Sequence, residues 1–232
     1  MIDWSAIDTV LLDMDGTLLD LHFDNFFWVT YLPRRYAEQH GLCPEESTRH
    51  LHRRMGELRG TLDWYCLDFW SRELSVDIRA LKREVEHLIA ERPHAIHFLR
   101  KLGEAGKPRV LITNAHPGAL DLKLSLTGIG DHLDTIISSH QFNAPKESPA
   151  FWRQLHERTG FDPHRTLFID DSEAILAAAE SFGIRYLFCI RQPDSKQPPR
   201  PTSHYPAIHH FDEIFPGDTP GPGSGGEVTN DG

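Results

Sequence analysis

Five short apolar runs recur along this chain: "TVLLD" (Thr9 to Asp13), "RVLIT" (Arg109 to Thr113), "TII" (Thr135 to Ile137), "TLFID" (Thr166 to Asp170) and "YLFCI" (Tyr186 to Ile190). They are nearly uniform in hydrophobicity, as expected of strands covered on both faces. Helical stretches lie between them. "PHAIHFLRKLGEAG" opens with Pro93, sets Ile96, Leu99 and Leu102 on one face and stops at Gly106. "SPAFWRQLHERTG" and "SEAILAAAESFG" also end in glycine, and Ser172 is placed to cap the second. Strand and helix in alternation predict an α/β fold, a Rossmann-like parallel sheet with helices on both faces.

Leu21 to Arg92 interrupts that alternation. It contains no clear strand and is rich in helix formers and aromatic residues, as in "FDNFFW" and "LDWYCLDFW". We therefore expect an α/β core of residues 1–20 and 93–215 with an all-helical insert, 21–92. Leu58, Leu62, Tyr65 and Phe69 fall on one stripe of a continuous helix, a pattern more typical of packing than of ligand binding. "SKQPPRPTSHYP" reads as a surface loop. Residues 216–232, full of Gly and Pro, read as a disordered tail.

Bulk properties exclude several functions. The formal net charge is -10, which disfavours binding to nucleic acid. No apolar run reaches the roughly 18 residues that span a bilayer. The acidic N-terminal segment does not resemble a signal peptide. Cys43, Cys66 and Cys189 are odd in number and widely spaced, which fits a reducing cytoplasm. Close histidine pairs such as His94/His97 lack a third ligand at typical spacing, so no zinc site is expected.

Ligands of open parallel sheets bind beyond the carboxyl ends of the strands. Polar residues collect there: Asp13 and Asp15 after the first run, Thr113 and Asn114 after the second, Lys146 after the third, Asp170 and Asp171 after the fourth. Singly, each has a bland role as a turn, cap or surface residue. Together they do not. Two unit charges 4 Å apart repel by about 4 kcal/mol even at an effective dielectric of 20. Several carboxylates converging on one lysine therefore call for a divalent cation. An all-oxygen donor set suits Mg²⁺, which also takes phosphate oxygens. Thr113 hydroxyl, Asn114 N–H and the Lys146 ammonium would cradle that phosphate.

"DMDGT", a Thr after the second strand, a downstream Lys and a "DD" at a later strand end resemble the four motifs of the haloacid dehalogenase superfamily, over roughly Asp8 to Ile190. The insert resembles the helical cap of one of its subgroups. "LLDMDGTLLDLHFDNFFW", "LDWYCLDFW", "LITNAHP" and "TLFIDDSEAIL" more narrowly resemble its bacterial GMP/IMP nucleotidases. One departure is Glu147, where a proline often follows the motif lysine. The resemblance implies that Asp13 attacks phosphorus to form an aspartyl-phosphate and that Asp15 is the general acid and base. It implies Mg²⁺ held by Asp13, the Asp15 carbonyl and Asp171, with Asp170 behind them. The implied substrate is a small phosphate ester, a purine nucleoside monophosphate such as GMP or IMP.

Other outcomes are a sugar-phosphate phosphatase, a phosphomutase and a non-catalytic nucleotide sensor. Carbon–halogen hydrolases of the superfamily lack the acid at position 15, and a phosphonate hydrolase needs a cap lysine, for which the insert offers only Lys82. Trp64, Trp70, Phe26, Phe27 and Trp28 are candidates to stack on a base. Asp24, Asn25, Arg35 and Arg59 are candidates to hydrogen-bond to it.

Overall fold

The computed structural model describes residues 2–201 and 204–217; most of the expected tail lies outside the described residues. The strands are β1 (Thr9–Leu12), β2 (Arg109–Thr113), β3 (Thr135–Ser138), β4 (Thr166–Asp170), β5 (Tyr186–Ile190) and β6 (Ala207–Ile208), in the order β3-β2-β1-β4-β5-β6. All adjacent pairs are parallel. The five apolar runs become β1 to β5. The two-residue edge strand β6 left no periodic signal in a sequence so short.

The helices, in chain order, are α1 (His22–Phe26), α2 (Leu32–His40), α3 (Pro44–Leu58), α4 (Leu62–Tyr65), α5 (Leu67–Leu74), α6 (Ile78–Glu84), α7 (Ala95–Glu104), α8 (Pro117–Leu126), α9 (Pro149–Thr159) and α10 (Glu173–Phe182). Alternation along each strand sends side chains to opposite faces. Leu12 pairs with Leu111 and Ile169, and all three pack on Phe98, Leu99 and Leu102 of α7. Leu11 pairs with Val110 and Phe168 on the other face, against Trp152 of α9 and Leu176 of α10. The sheet is thus sealed on both sides, which leaves the strand ends as the place for polar chemistry.

Three local expectations need correction. The helix expected from Pro93 starts at Ala95, because His94 takes a left-handed backbone (φ 65°) that an α-helix cannot include. Ser172 stands at the N-cap of α10, but its side chain makes no capping bond. The Asp170 carboxylate accepts the Ser172 N–H instead, at 2.8 Å. The stripe from Leu58 to Phe69 does not lie on one helix: α3 ends at Leu58, Gly60 turns with φ 79°, and Cys66 separates α4 from α5. The buried positions of α5 are Leu67, Trp70 and Leu74 rather than Phe69, and Tyr65 turns to the cavity, where it donates to Glu147.

A third apolar cluster, including Phe23, Phe27, Leu51, Trp70 and Ile78, lies within the helical segment and also takes in Ala119 of α8. The two chain passes joining this segment to the sheet pair with each other through an antiparallel bridge, Leu19 to Glu91. No helix among the described residues is long and apolar enough to cross a membrane.

Candidate active site

The chain leaves β1 through Asp13, whose N–H donates to the Ile169 carbonyl of β4 at 3.0 Å. Met14 turns back into the core and Asp15 emerges beside Asp13. Gly16 follows with φ 85°, and a Cβ there would stand 2.8 Å from the Asp171 Cγ. This close approach of the first loop to the fourth is the physical need behind the glycine.

Lys146 is buried under this loop. Its ammonium donates to Asp13 at 2.6 Å, to Asp170 at 2.7 Å and to the Ile112 carbonyl at 3.2 Å. The lysine's loop is itself tied down. The Lys146 N–H donates to Asn114 Oδ1 at 2.9 Å, and the Trp152 indole donates to the Lys146 carbonyl at 2.8 Å. Glu147, at the departure from the usual proline, accepts from Asn114 Nδ2 at 3.0 Å and from the Tyr65 hydroxyl at 2.6 Å. A side chain thus fixes the loop where a proline ring would restrict it. The Asn114 side chain is committed to this task. Thr113 accepts from the Ala115 N–H at 3.0 Å, which leaves its own hydroxyl hydrogen to donate.

Carboxylate oxygens of Asp13, Asp170 and Asp171 lie within 4.8 Å of one another. Burial is the main cause that pushes each of these acids up to about 6; Lys146 opposes it and the neighbouring carboxylates add to it. Asp15 is likewise raised to about 6 by burial, against the pull of Lys123. Arg200 reaches Asp171 at 3.1 Å.

Sequence reasoning missed a second buried charge network. Lys123 of α8 donates to Asp15 at 2.6 Å and to Asp24 of α1 at 2.5 Å. Lys82 of α6 donates to the other oxygen of Asp24 at 2.7 Å and lies over the rings of Phe23 and Phe27. Burial works against the Asp24 charge, but Lys123 and Lys82 hold its carboxyl well below the usual range. Burial pushes Lys82 down. A signal for Lys123 was present: it falls three after Leu120 in a helix otherwise apolar on that face. The cation count at the site therefore rises, yet five carboxylates still face only three ammoniums and the Arg200 guanidinium.

A cavity of about 580 Å³ opens over this cluster between the sheet and the helical segment. Asp13, Asp15, Thr113 and Lys146 line its floor; Trp28, Trp64 and Arg59 line its walls. Of the expected base-contacting residues, Asp24 is taken by the lysines and Asn25 donates to Asp194 at 2.8 Å. Arg35 pairs with Glu38 and Glu84, and Phe27 belongs to the helical core. Arg59, whose guanidinium lies 5.9 Å from the Trp64 ring centroid, keeps the role open to it.

A parallel sheet carrying an Asp-x-Asp at its central strand and a buried lysine beside it is the architecture of the haloacid dehalogenase-like hydrolases. That family's model matches residues 7–183, and the chain belongs to the family. The GMP/IMP nucleotidase YrfG of Escherichia coli (strain K12) is 44% identical over 215 residues, covering 93% of this chain and 97% of that protein. A HAD phosphatase from Thermococcus onnurineus superimposes with a TM-score of 0.73 at 23% identity, over 90% of this chain and 96% of its own. The L-2-haloacid dehalogenase of Xanthobacter autotrophicus does so with a TM-score of 0.55 at 20% identity, over 80% and 78%. The two structural likenesses speak for the fold alone.

Proposed function

We propose that this hydrolase is a Mg²⁺-dependent 5′-nucleotidase that cleaves GMP and IMP through an aspartyl-phosphate on Asp13. The observation that carries it is the pair Asp13 and Asp15 lining one cavity, with Lys146 2.6 Å from Asp13 and Trp28 and Trp64 among the lining residues. The high identity to a GMP/IMP nucleotidase along almost the whole chain supports the substrate class. Residues 1–20 and 93–215 act as the core, and 21–92 as the cap that carries base recognition.

The donor set fits a hard divalent ion. Asp13 and Asp171 offer carboxylate oxygen, the Asp15 carbonyl completes the protein ligands, and buried charge remains uncompensated without a cation. When bound, Mg²⁺ supplies charge neutralisation at the transferring phosphoryl group. Asp13 Oδ attacks phosphorus while Lys146 and the Thr113 hydroxyl hold the phosphoryl oxygens. Asp15 gives its proton to the leaving 5′-oxygen, then takes one from the water that hydrolyses the aspartyl-phosphate. A carboxyl raised to about 6 can serve in both directions near neutrality. An acid at position 15 favours phosphate over halide as leaving chemistry, because halide leaves without a proton.

GMP and IMP share a 6-oxo acceptor and an N1–H donor, which AMP reverses. A pocket built for the first pattern leaves buried groups unpaired with the second, at about 1–3 kcal/mol for each. The test is kcat/KM for GMP, IMP, AMP and a set of sugar phosphates. Preference for the 6-oxopurines by about tenfold or more is expected from one such mismatch. A sugar phosphate that exceeds all three would reject the nucleotidase assignment.

A further inference from the structure

Cys66, His116 and His140 come together outside the carboxylate cluster, from three separate segments. Cys66 is the break between α4 and α5, His116 caps α8, and His140 lies in the short turn after β3 (Ser139–Phe142). One potential ligand atom from each lies within 4.8 Å of the other two. The two imidazole rings meet edge to face, with centroids 5.1 Å apart.

A second observation points to a ligand. Among the described residues, Nε2 of His140 is buried with no hydrogen-bond partner. The Asn114 backbone lies close enough to the ring to favour its protonation, against the effect of burial. A buried imidazole nitrogen with no partner is a position that a metal ion would satisfy. Burial keeps both rings in the neutral form that ligates. Cys66 Sγ accepts the Phe69 N–H at 3.4 Å, at the start of α5.

We propose that Cys66, His116 and His140 form a site for a divalent transition metal, with zinc(II) the best-fitting ion, and that the metal ties the helical segment to the sheet. A thiolate with two imidazoles is a nitrogen–sulfur set suited to zinc, whereas the all-oxygen cluster under the cavity suits a harder ion. The two sites therefore sort different metals. Three protein donors leave a fourth position to water. Tetrahedral donors around zinc stand roughly 3.3–3.8 Å apart, so small side-chain shifts close the site from its present spacing. The segment is already seated here, since the neighbouring Tyr65 donates to Glu147 at 2.6 Å.

The proton balance is definite. His116 Nδ1 accepts the Gly118 N–H at 3.1 Å, so Nε2 carries the ring proton and faces Asp68 at 3.4 Å. Ligation through Nε2 moves that proton to Nδ1 and gives up the Gly118 bond. The Cys66 thiol loses its proton to solvent. One proton is released per metal bound.

The test is a titration of the full chain with Co²⁺ in saturating Mg²⁺, followed by displacement with Zn²⁺. We expect a thiolate-to-cobalt charge-transfer band and tetrahedral d–d bands that saturate at one equivalent. The charge-transfer band is lost in Cys66→Ser, where serine still caps α5, and the d–d bands change in His140→Gln. Zinc raises the Tm of the parent and not of either variant. No charge-transfer band in the parent, a band that survives in Cys66→Ser and so belongs to Cys43 or Cys189, or an unchanged spectrum in His140→Gln would each overturn the site. An equal zinc-dependent Tm rise in parent and variants would overturn the tie.

Discussion

The ammonium of Lys123 lies 2.6 Å from the carboxylate of Asp15, and the same ammonium holds Asp24 of the helical segment at 2.5 Å. One buried lysine thus couples the proposed general acid to an element that sits above the cavity. Burial alone would push the Lys123 ammonium down, but the two carboxylates hold it above the usual lysine range.

Replacing it therefore leaves two buried carboxylates short of a partner. We expect Lys123→Met to lower unfolding stability by about 3–5 kcal/mol, the usual result of breaking one side of a buried ion pair. Asp24→Asn in the same background should recover part of that loss. Turnover should fall by about 100-fold because Asp15 is no longer held in place. Denaturant titration and phosphate release check both. A Lys123→Met protein as stable as its parent would mean that Asp15 and Asp24 are hydrated in solution.

Asp13→Asn should abolish turnover while the fold persists. It removes one negative charge from a cluster with too many, and Asp170 still pairs with Lys146 at 2.7 Å. Its melting temperature should therefore equal or exceed the parent's in chelator. Asp15→Asn should also be nearly inactive, since leaving-group protonation and water activation both fail. Circular dichroism and phosphate release decide this, and substantial turnover by Asp13→Asn would remove the covalent mechanism.

The sheet was legible in sequence because strands buried on both faces leave uninterrupted apolar runs, and β1 to β5 lie where those runs lie. The motif residues were legible because strand ends in a parallel sheet share one edge, which brings Asp13, Lys146 and Asp170 together across more than a hundred positions. Lys82 was not legible, and Lys123 left no more than its place three after Leu120 in α8. A lysine is ordinarily solvated, and only the packing of α6 and α8 against α1 reveals that both point inward to Asp24. Cys66, His116 and His140 escaped for a related reason: their spacing follows no ligand motif, and the convergence depends on how the helical segment meets the sheet.

The pH dependence of stability should differ with and without Mg²⁺. Asp13, Asp170 and Asp171 are raised from 3.8 to about 6 in the folded protein. The folded state therefore binds protons more tightly than the unfolded one. The stabilisation is full below the unfolded value of about 4 and is lost as pH rises through about 6. Asp24 is lowered, so its contribution is lost only as pH falls below the ordinary carboxylate range, outside that window. In chelator these three acids and Asp15, also raised to about 6, pull Tm down between roughly pH 4 and pH 6, while His116, His140 and His210, lowered by burial, act in the opposite sense as pH falls below about 6.5. Mg²⁺ replaces those protons, so the Tm gain on adding it should be larger at about pH 7 than at about pH 5. Calorimetry with and without the ion tests this. An equal gain at both values would separate metal binding from these carboxylates.

Gly16→Ala tests whether the loop after β1 must touch the loop after β4. Alanine at φ 85° is strained, and its methyl group would begin 2.8 Å from Asp171 Cγ and 3.0 Å from Pro193 Cβ. Neither neighbour yields easily: the Asp171 carboxylate is held by Arg200 at 3.1 Å, and the Pro193 carbonyl accepts the Leu21 N–H at 2.9 Å. The left-handed conformation itself costs about 1–2 kcal/mol for a residue with a Cβ. The contact instead pushes Asp171 away from Asp13, and so opens the donor set proposed for Mg²⁺. We expect the Mg²⁺ concentration for half-maximal activity to rise by about tenfold or more, the loss typical when a metal ligand loses its support. The GMP KM at saturating Mg²⁺ should change far less, because the cavity walls at Trp28 and Trp64 are untouched. A Mg²⁺ titration of initial rates at fixed GMP reads the first quantity and a GMP titration reads the second. If half-saturation by Mg²⁺ stayed at the parent's value, Asp171 would have no part in holding the ion.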